Sequence, residues 1–286
     1  MVGLAMICFP FSHHWQLSLF VLRLAVMWPI LGRYGSFFLY SYTVVWALGF
    51  AAAIAFTYLQ LKQDRRRWLA WFDGLLAGLM VGIVVGRLVY VTGNAAYFYD
   101  HPEQMIQLWQ GGLNYHGAVG AGLLLFVLWQ WGRGVALRPQ LEALVVPLII
   151  LTGFGWLACY LEGCAYGRET VLGLWAGNLP DSYGVFQVRY QTQLLGVLWS
   201  VIALMVVVGI RGRVSPITRF WLTVLLLSAG RVVLSTLRGD AMPTWNTMRL
   251  DMLVDGVVGL VALVGMVWGW RRPPTRKWDG RQNNTN

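Results

Sequence analysis

Long apolar runs dominate this chain, each about the length of a membrane-crossing helix and set off from the next by a short polar stretch. A helix needs about 20 mostly apolar residues to cross a bilayer. Seven stretches fit: residues 37–61, 69–92, 117–131, 141–161, 192–210, 220–237 and 250–270. The third is short unless residues 112–116 extend it. An eighth candidate, 15–31, contains Arg23 and Pro29 and reads as an extra span, an interfacial helix or an upstream extension. The pattern predicts an all-α polytopic membrane helix bundle over residues 29–272. An N-terminal extension (1–28) precedes it and a basic, polar tail (273–286) follows.

Composition agrees. Of the 286 residues 57% are hydrophobic and 12% charged, against about 25% charged in soluble domains. A soluble fold and a disordered chain are both excluded. The polar stretches also give an orientation. Fourteen Lys and Arg follow the first, third, fifth and seventh spans, beginning with Lys62, Arg65, Arg66 and Arg67. The alternate loops hold only Arg168, Arg189, Arg238 and Arg249. The positive-inside rule places the first set, with the C-terminus, in the cytoplasm. These loops account for the net charge of +10 without any nucleic-acid partner. The three cysteines form no disulfide framework and no metal-binding pair. Cys159 and Cys164, five apart on one helix, point in different directions, so they are expected to be buried structural thiols rather than a local disulfide.

Two arginines fall inside spans, Arg87 and Arg231, both towards the outer side. An arginine at mid-membrane costs about 2.5–3.5 kcal/mol on insertion scales. Each either snorkels to the head groups or lines a polar site. Other polar groups gather at the same level: Tyr42, the Gly112–His116 segment, Glu162, Arg168, Gln193, Arg238 and Asp240. A wet, cationic cavity near the outer leaflet follows, suited to an anionic head group because arginine forks bind phosphate. His116 is either structural or the proton acceptor of such a cavity. Gly111, Gly112 and Gly117 serve close backbone approach to a ligand or a tight turn.

Read as motifs, the same residues resemble the prolipoprotein diacylglyceryl transferases. Trp109-Gln-Gly-Gly-Leu-Asn-Tyr-His-Gly is similar to the family's W-[DQ]-G-G-[ML]-x-[FY]-H-G signature, and Val85-Gly-Arg87-Leu-Val-Tyr90 to G-x-R-[IL]-x-Y-V. Glu162-Gly-Cys-Ala-Tyr-Gly167-Arg168 resembles N-G-E-x-[WY]-G-R, and Arg189-Tyr-Gln-Thr-Gln193-Leu resembles R-H-P-[ST]-Q-L. Gly230-Arg231 and Leu237-Arg238-Gly-Asp240 follow G-x-x-R-x-x-x-E-x-x-R. The resemblance implies an enzyme of the bacterial inner membrane with its cavity towards the outer leaflet. It would move a diacylglyceryl group from phosphatidylglycerol to the lipobox cysteine thiol of a preprolipoprotein, releasing glycerol 1-phosphate, with no metal or organic cofactor. It implies catalytic roles for His116 (base), Tyr42 and Arg231 (phosphate clamp). It implies substrate-binding roles for Arg87, Gly112, Gly117, Glu162, Gly167, Arg168, Gln193 and Arg238.

The chain departs from the family pattern at five positions. Trp156 stands for a phosphate-contacting arginine, Cys159 for an asparagine, Cys164 for an acidic residue, Tyr190 for a histidine and Ser235 for a glutamate. These departures raise an alternative, a paralogue that binds anionic phospholipid without the transfer. A small-solute transporter would want polar residues through both halves of the membrane, and the inner half lacks them.

Overall fold

The computed structural model describes residues 30–270, apart from 36, 109, 110, 172, 174 and 182. The candidate helix at 15–31, the N-terminal extension and the tail therefore lie almost wholly outside the described residues. The chain opens with a hairpin of β1 (Ile30–Tyr34) and β2 (Phe37–Tyr40). Gly35, with φ of +64°, makes the reversal. The first helix, expected from residue 37, accordingly starts four residues later: α1 is Ser41–Leu61. The apolar run is continuous there, but its aromatic beginning pairs as a strand.

The remaining helices are α2 (Arg65–Gly93), the short α3 (Ala95–Asp100), α4 (Tyr115–Gly132), α5 (Leu137–Glu162), α6 (Thr192–Gly209), α7 (Pro216–Leu237) and α8 (Leu250–Trp270). A 3₁₀ turn, Pro102–Ile106, follows α3. Two more hairpins, β3 (Ala176–Pro180) with β4 (Phe186–Tyr190) and β5 (Thr244–Trp245) with β6 (Met248–Arg249), lie in loops between helices. Among the described residues six helices are long and apolar enough to cross a membrane: α1, α2, α5, α6, α7 and α8. The expected seventh, α4, is an 18-residue helix outside that set, with Tyr115, His116 and Gln130 in its sequence.

Helix α5 packs against α1, α6 and α7; α2 pairs with α4, and α7 with α8. The outer surfaces are apolar, as at Leu48, Met80, Val84 and Val264. Lipid tails solvate such side chains as well as a protein interior does, so close packing and polar contacts must hold the helices together. The α2–α4 pair shows how. Gly74, Gly78, Gly82 and Gly86 recur every fourth residue and are all buried. A Cβ at Gly78 would lie 2.7 Å from the carbonyl oxygen of Gly122, and one at Gly82 2.7 Å from that of Ala118. The two backbones approach this closely because nothing projects between them. Gln130 Nε2 fastens the far end by donating to the Ala70 carbonyl at 2.9 Å.

The apolar core is lopsided. Trp71, Phe126, Leu141, Val145, Ile149, Val207 and Phe220 cluster in the half of the bundle nearest the basic loops. The ion pairs of His116, Arg231, Arg238 and Arg249 with Asp255, Asp240 and Asp251 lie outside that cluster.

Candidate active site

The glycine ladder sets the position of His116. Asn114 donates its backbone N–H to the Gly86 carbonyl at 3.0 Å, tying the start of α4 to the last rung. Its side chain then caps α4 by accepting from Gly117 N–H at 2.9 Å, satisfying one of the unpaired donors at the helix start. His116 is thus held in a defined first turn. Its Nε2 lies 3.0 Å from Oδ1 of Asp255 on α8. Arg231 on α7 reaches the same carboxylate, its Nε donating to Oδ1 at 3.1 Å and Oδ2 at 3.0 Å. The Arg231 guanidinium lies 3.9 Å from the centroid of the Tyr115 ring. Three helices therefore bring histidine, carboxylate and guanidinium together. Asp255 is 5% exposed, Arg231 15% and His116 19%, so the carboxylate is sealed while its two partners keep an open edge.

Asp255 escapes the sequence reasoning, which weighs only arginines inside spans. The signal was present: Asp251 and Asp255 stand four apart in the otherwise apolar stretch 250–270. An acid there needs a partner as much as an arginine does.

Arg87 is engaged elsewhere. Its Nε donates to Met105 O, Nη1 to Gly111 O and Gly112 O, and Nη2 to Gln104 O and Gln107 O. A guanidinium has five N–H groups, and all five are used on backbone carbonyls of the 102–112 loop. Of the three residues expected in one pocket, His116 and Arg231 meet on Asp255, while the hydrogen bonds of Arg87 go to the loop that delivers α4. Gly112 belongs to this arrangement, with φ of +82° and with space for a Cβ closed by Arg87 Nη1 at 2.7 Å. A Cβ at Gly117 would meet Val89 at 3.0 Å.

The match to a family model covers residues 29–268, and the family is the prolipoprotein diacylglyceryl transferases. This chain belongs to that family. Relatives named phosphatidylglycerol–prolipoprotein diacylglyceryl transferase include a Clostridium tetani protein, 27% identical over 228 residues, or 79% of this chain and 90% of that one. A Bacillus licheniformis protein is 26% identical over 245 residues, 82% of this chain and 89% of its own. A Polynucleobacter asymbioticus protein reaches 31% over 159 residues, 53% and 60% of the two chains.

The departures from the family pattern acquire a physical account. Ser235, in the glutamate's place, donates to Asp251 Oδ2 at 2.9 Å. Asp251 in turn accepts from Arg238 Nη1 at 3.2 Å and Arg249 Nε at 3.2 Å. Arg238 also grips Asp240 through Nε at 2.8 Å, and Arg249 Nη1 donates to the Asp240 carbonyl at 2.8 Å. Two arginines and two aspartates close a neutral network, in which Ser235 donates and Asp251 of α8 supplies the carboxylate.

The second account overturns an expectation: Cys159 and Cys164 form a disulfide. The expectation of separate thiols takes their spacing along one continuous helix. However, α5 ends at Glu162, and Gly163 turns left-handed with φ of +82°. The chain folds back, Cys164 N–H donates to Cys159 O at 3.0 Å, and the two Cα atoms lie 4.8 Å apart.

The segment after the disulfide is pinned from α6. Gln193, fully buried, donates from Nε2 to the Cys164 carbonyl at 2.8 Å, and Thr192 Oγ1 donates to Ala165 O at 2.6 Å. Gly167 pairs with Arg238 as an isolated bridge, and a Cβ there would lie 2.6 Å from that of Tyr190. Arg168 is exposed, its guanidinium 5.8 Å from the centroid of the Tyr190 ring. Trp156 is a buried ring lying against Gly196, where a Cβ would come within 2.5 Å of Cε2. Its indole supplies shape and no positive charge. Tyr42 stands in the first turn of α1, edge-on to Trp46, and Glu162 is exposed at the end of α5.

Proposed function

We propose that this chain transfers the diacylglyceryl group of phosphatidylglycerol to the thiol of a lipobox cysteine, with His116 and Arg231 at the reacting centre. The observation that carries this is the junction of the two side chains on one buried carboxylate. The thiol gives its proton to His116, and the thiolate attacks the glyceryl carbon that bears the phosphate. The C–S bond forms, the C–O bond breaks, and glycerol 1-phosphate leaves with the second negative charge. Arg231 spreads that charge over its fork. The proton on His116 then passes to the departing phosphate, restoring the base.

Around this centre, Arg87 and Gly112 shape the loop before α4, and Gly117 and Gln193 hold the backbone about the site. Gly167 and Arg238 tie the segment after the disulfide to the end of α7. Tyr42, Glu162 and Arg168 stand at the polar end where lipid and tethered peptide arrive from the membrane. Membership of the family supports a place in the bacterial inner membrane, and the asymmetric loop charge supports an orientation with the reacting centre towards the outer leaflet and the C-terminus in the cytoplasm.

Expression in cells depleted of their own transferase tests the reading, together with transfer of lipid from phosphatidylglycerol vesicles to a lipobox peptide. We expect rescue, and a loss of at least tenfold for His116→Gln and for Arg231→Ala. A correctly inserted chain that adds no lipid to the thiol would reject the activity. Normal turnover in Arg231→Ala would reject the clamp alone.

A further inference from the structure

We propose that Asp255 is a positioning residue for this transfer, one that fixes the working atom of His116 and the working edge of Arg231 at once. The inference rests on the functional reading above. An ionised carboxylate only accepts hydrogen bonds. The 3.0 Å contact to Oδ1 therefore requires the neutral imidazole to carry its proton on Nε2. Nδ1 is left as the basic atom, and among the described residues it makes no hydrogen bond. On the other side, Asp255 takes Arg231 by Nε alone. Both Nη groups, which make no hydrogen bond among the described residues, remain as a two-pronged donor of the shape phosphate accepts. The Tyr115 ring lies against the guanidinium, its centroid 3.9 Å from the central carbon.

Charge sharpens the argument. Asp255 and Arg231 together are neutral, so the resting site carries no excess charge in its sealed surroundings. When the thiol proton arrives on Nδ1, the imidazolium is balanced by the same carboxylate, and the site becomes net positive as the leaving phosphate gains its second negative charge. A carboxylate within the apolar α8 is costly, and merely neutralising Arg231 would not require it to touch His116 as well.

The test uses the full-length chain in mixed micelles with phosphatidylglycerol and a lipobox peptide. Asp255→Asn is expected to lower kcat at least a hundredfold without raising KM for the lipid, because removing the negative charge leaves Arg231 no weaker towards phosphate. Asp255→Glu should regain at least tenfold over the asparagine variant. Nitrogen-15 NMR of histidine-labelled wild-type protein at alkaline pH reads the tautomer directly. The chain has four histidines, and loss of one signal in His116→Gln assigns it. A proton on Nε2 is expected; a proton on Nδ1 overturns the proposal whether or not the variants fold. An Asp255→Asn defect confined to KM, or none at all, also overturns it, leaving a purely structural counter-ion. If wild-type protein transfers no lipid, the functional reading fails instead, and the tautomer measurement separates the two.

Discussion

Moving one carboxylate across the α7–α8 interface tests the account of Ser235 most directly. Asp251 is 2% exposed and receives Ser235, Arg238 and Arg249, in addition to the N–H of Met252 at 2.9 Å. Asp251→Ser leaves two arginines, 13% and 16% exposed, facing a single aspartate. Removing one partner from a buried ion pair costs about 3–5 kcal/mol, and that is the expected loss. Ser235→Glu alone places a second carboxylate against Asp251 and should destabilise by a similar amount. The double variant restores one acid, shared by the same two arginines, from the α7 side. Its loss should therefore fall well short of the sum of the single losses, with a coupling of at least about 2 kcal/mol, near the upper part of the range for residues in one network. Unfolding free energies from detergent titration of the four proteins supply the cycle. Additive losses would show that positions 235 and 251 do not exchange the role, and the explanation of the departure would fall.

Other expectations follow from the same geometry. Gly82→Val should separate α2 from α4, because its Cβ would start 2.7 Å from a carbonyl oxygen that cannot move without the helix; overpacking of this kind costs about 1–3 kcal/mol. Since His116 is carried on α4, lipid transfer should fall with stability, and wild-type activity would refute the link. Paired Cys159→Ser and Cys164→Ser substitutions should lower stability by roughly 2 kcal/mol, as expected for so short a closed loop. The same fall should appear on reduction of the wild-type protein but not of the double variant. The β3–β4 hairpin should loosen in acid. Backbone N–H groups of Val185 and Tyr183, together with Arg189, hold the Asp181 carboxyl below its ordinary value of 3.8. Its stabilisation is therefore present above that value and is lost as pH falls through the lower folded value. Amide exchange at residues 183–189 should accelerate there in the wild-type protein and be already fast at neutral pH in Asp181→Ala.

Much of the fold was legible because membrane spanning is written locally. Apolar length gave the seven long helices between Ser41 and Trp270 within a few residues, though not the short α3, and the motifs singled out His116 and Arg231. The failures share a different cause. The hairpin before α1 and the disulfide after α5 both depend on a glycine that reverses the chain, Gly35 and Gly163, just beyond the ends of apolar stretches, where hydropathy carries no information about the turn. The ladder from Gly74 to Gly86 is visible as a spacing, but the helix that fills it is named nowhere in those residues.

The sequence by itself determined that the chain crosses a membrane repeatedly, that its basic loops alternate, that two arginines lie where apolar surroundings make them costly, and that a histidine stands at the entry to the third span. Only the tertiary structure decided which of them meet. A helical residue turns about 100° from its neighbour, so the partner of an intramembrane charge depends on how each helix is rotated and shifted against the others. That relation gave Arg87 to a loop of carbonyls, and Arg231 with His116 to an aspartate more than twenty positions away from either.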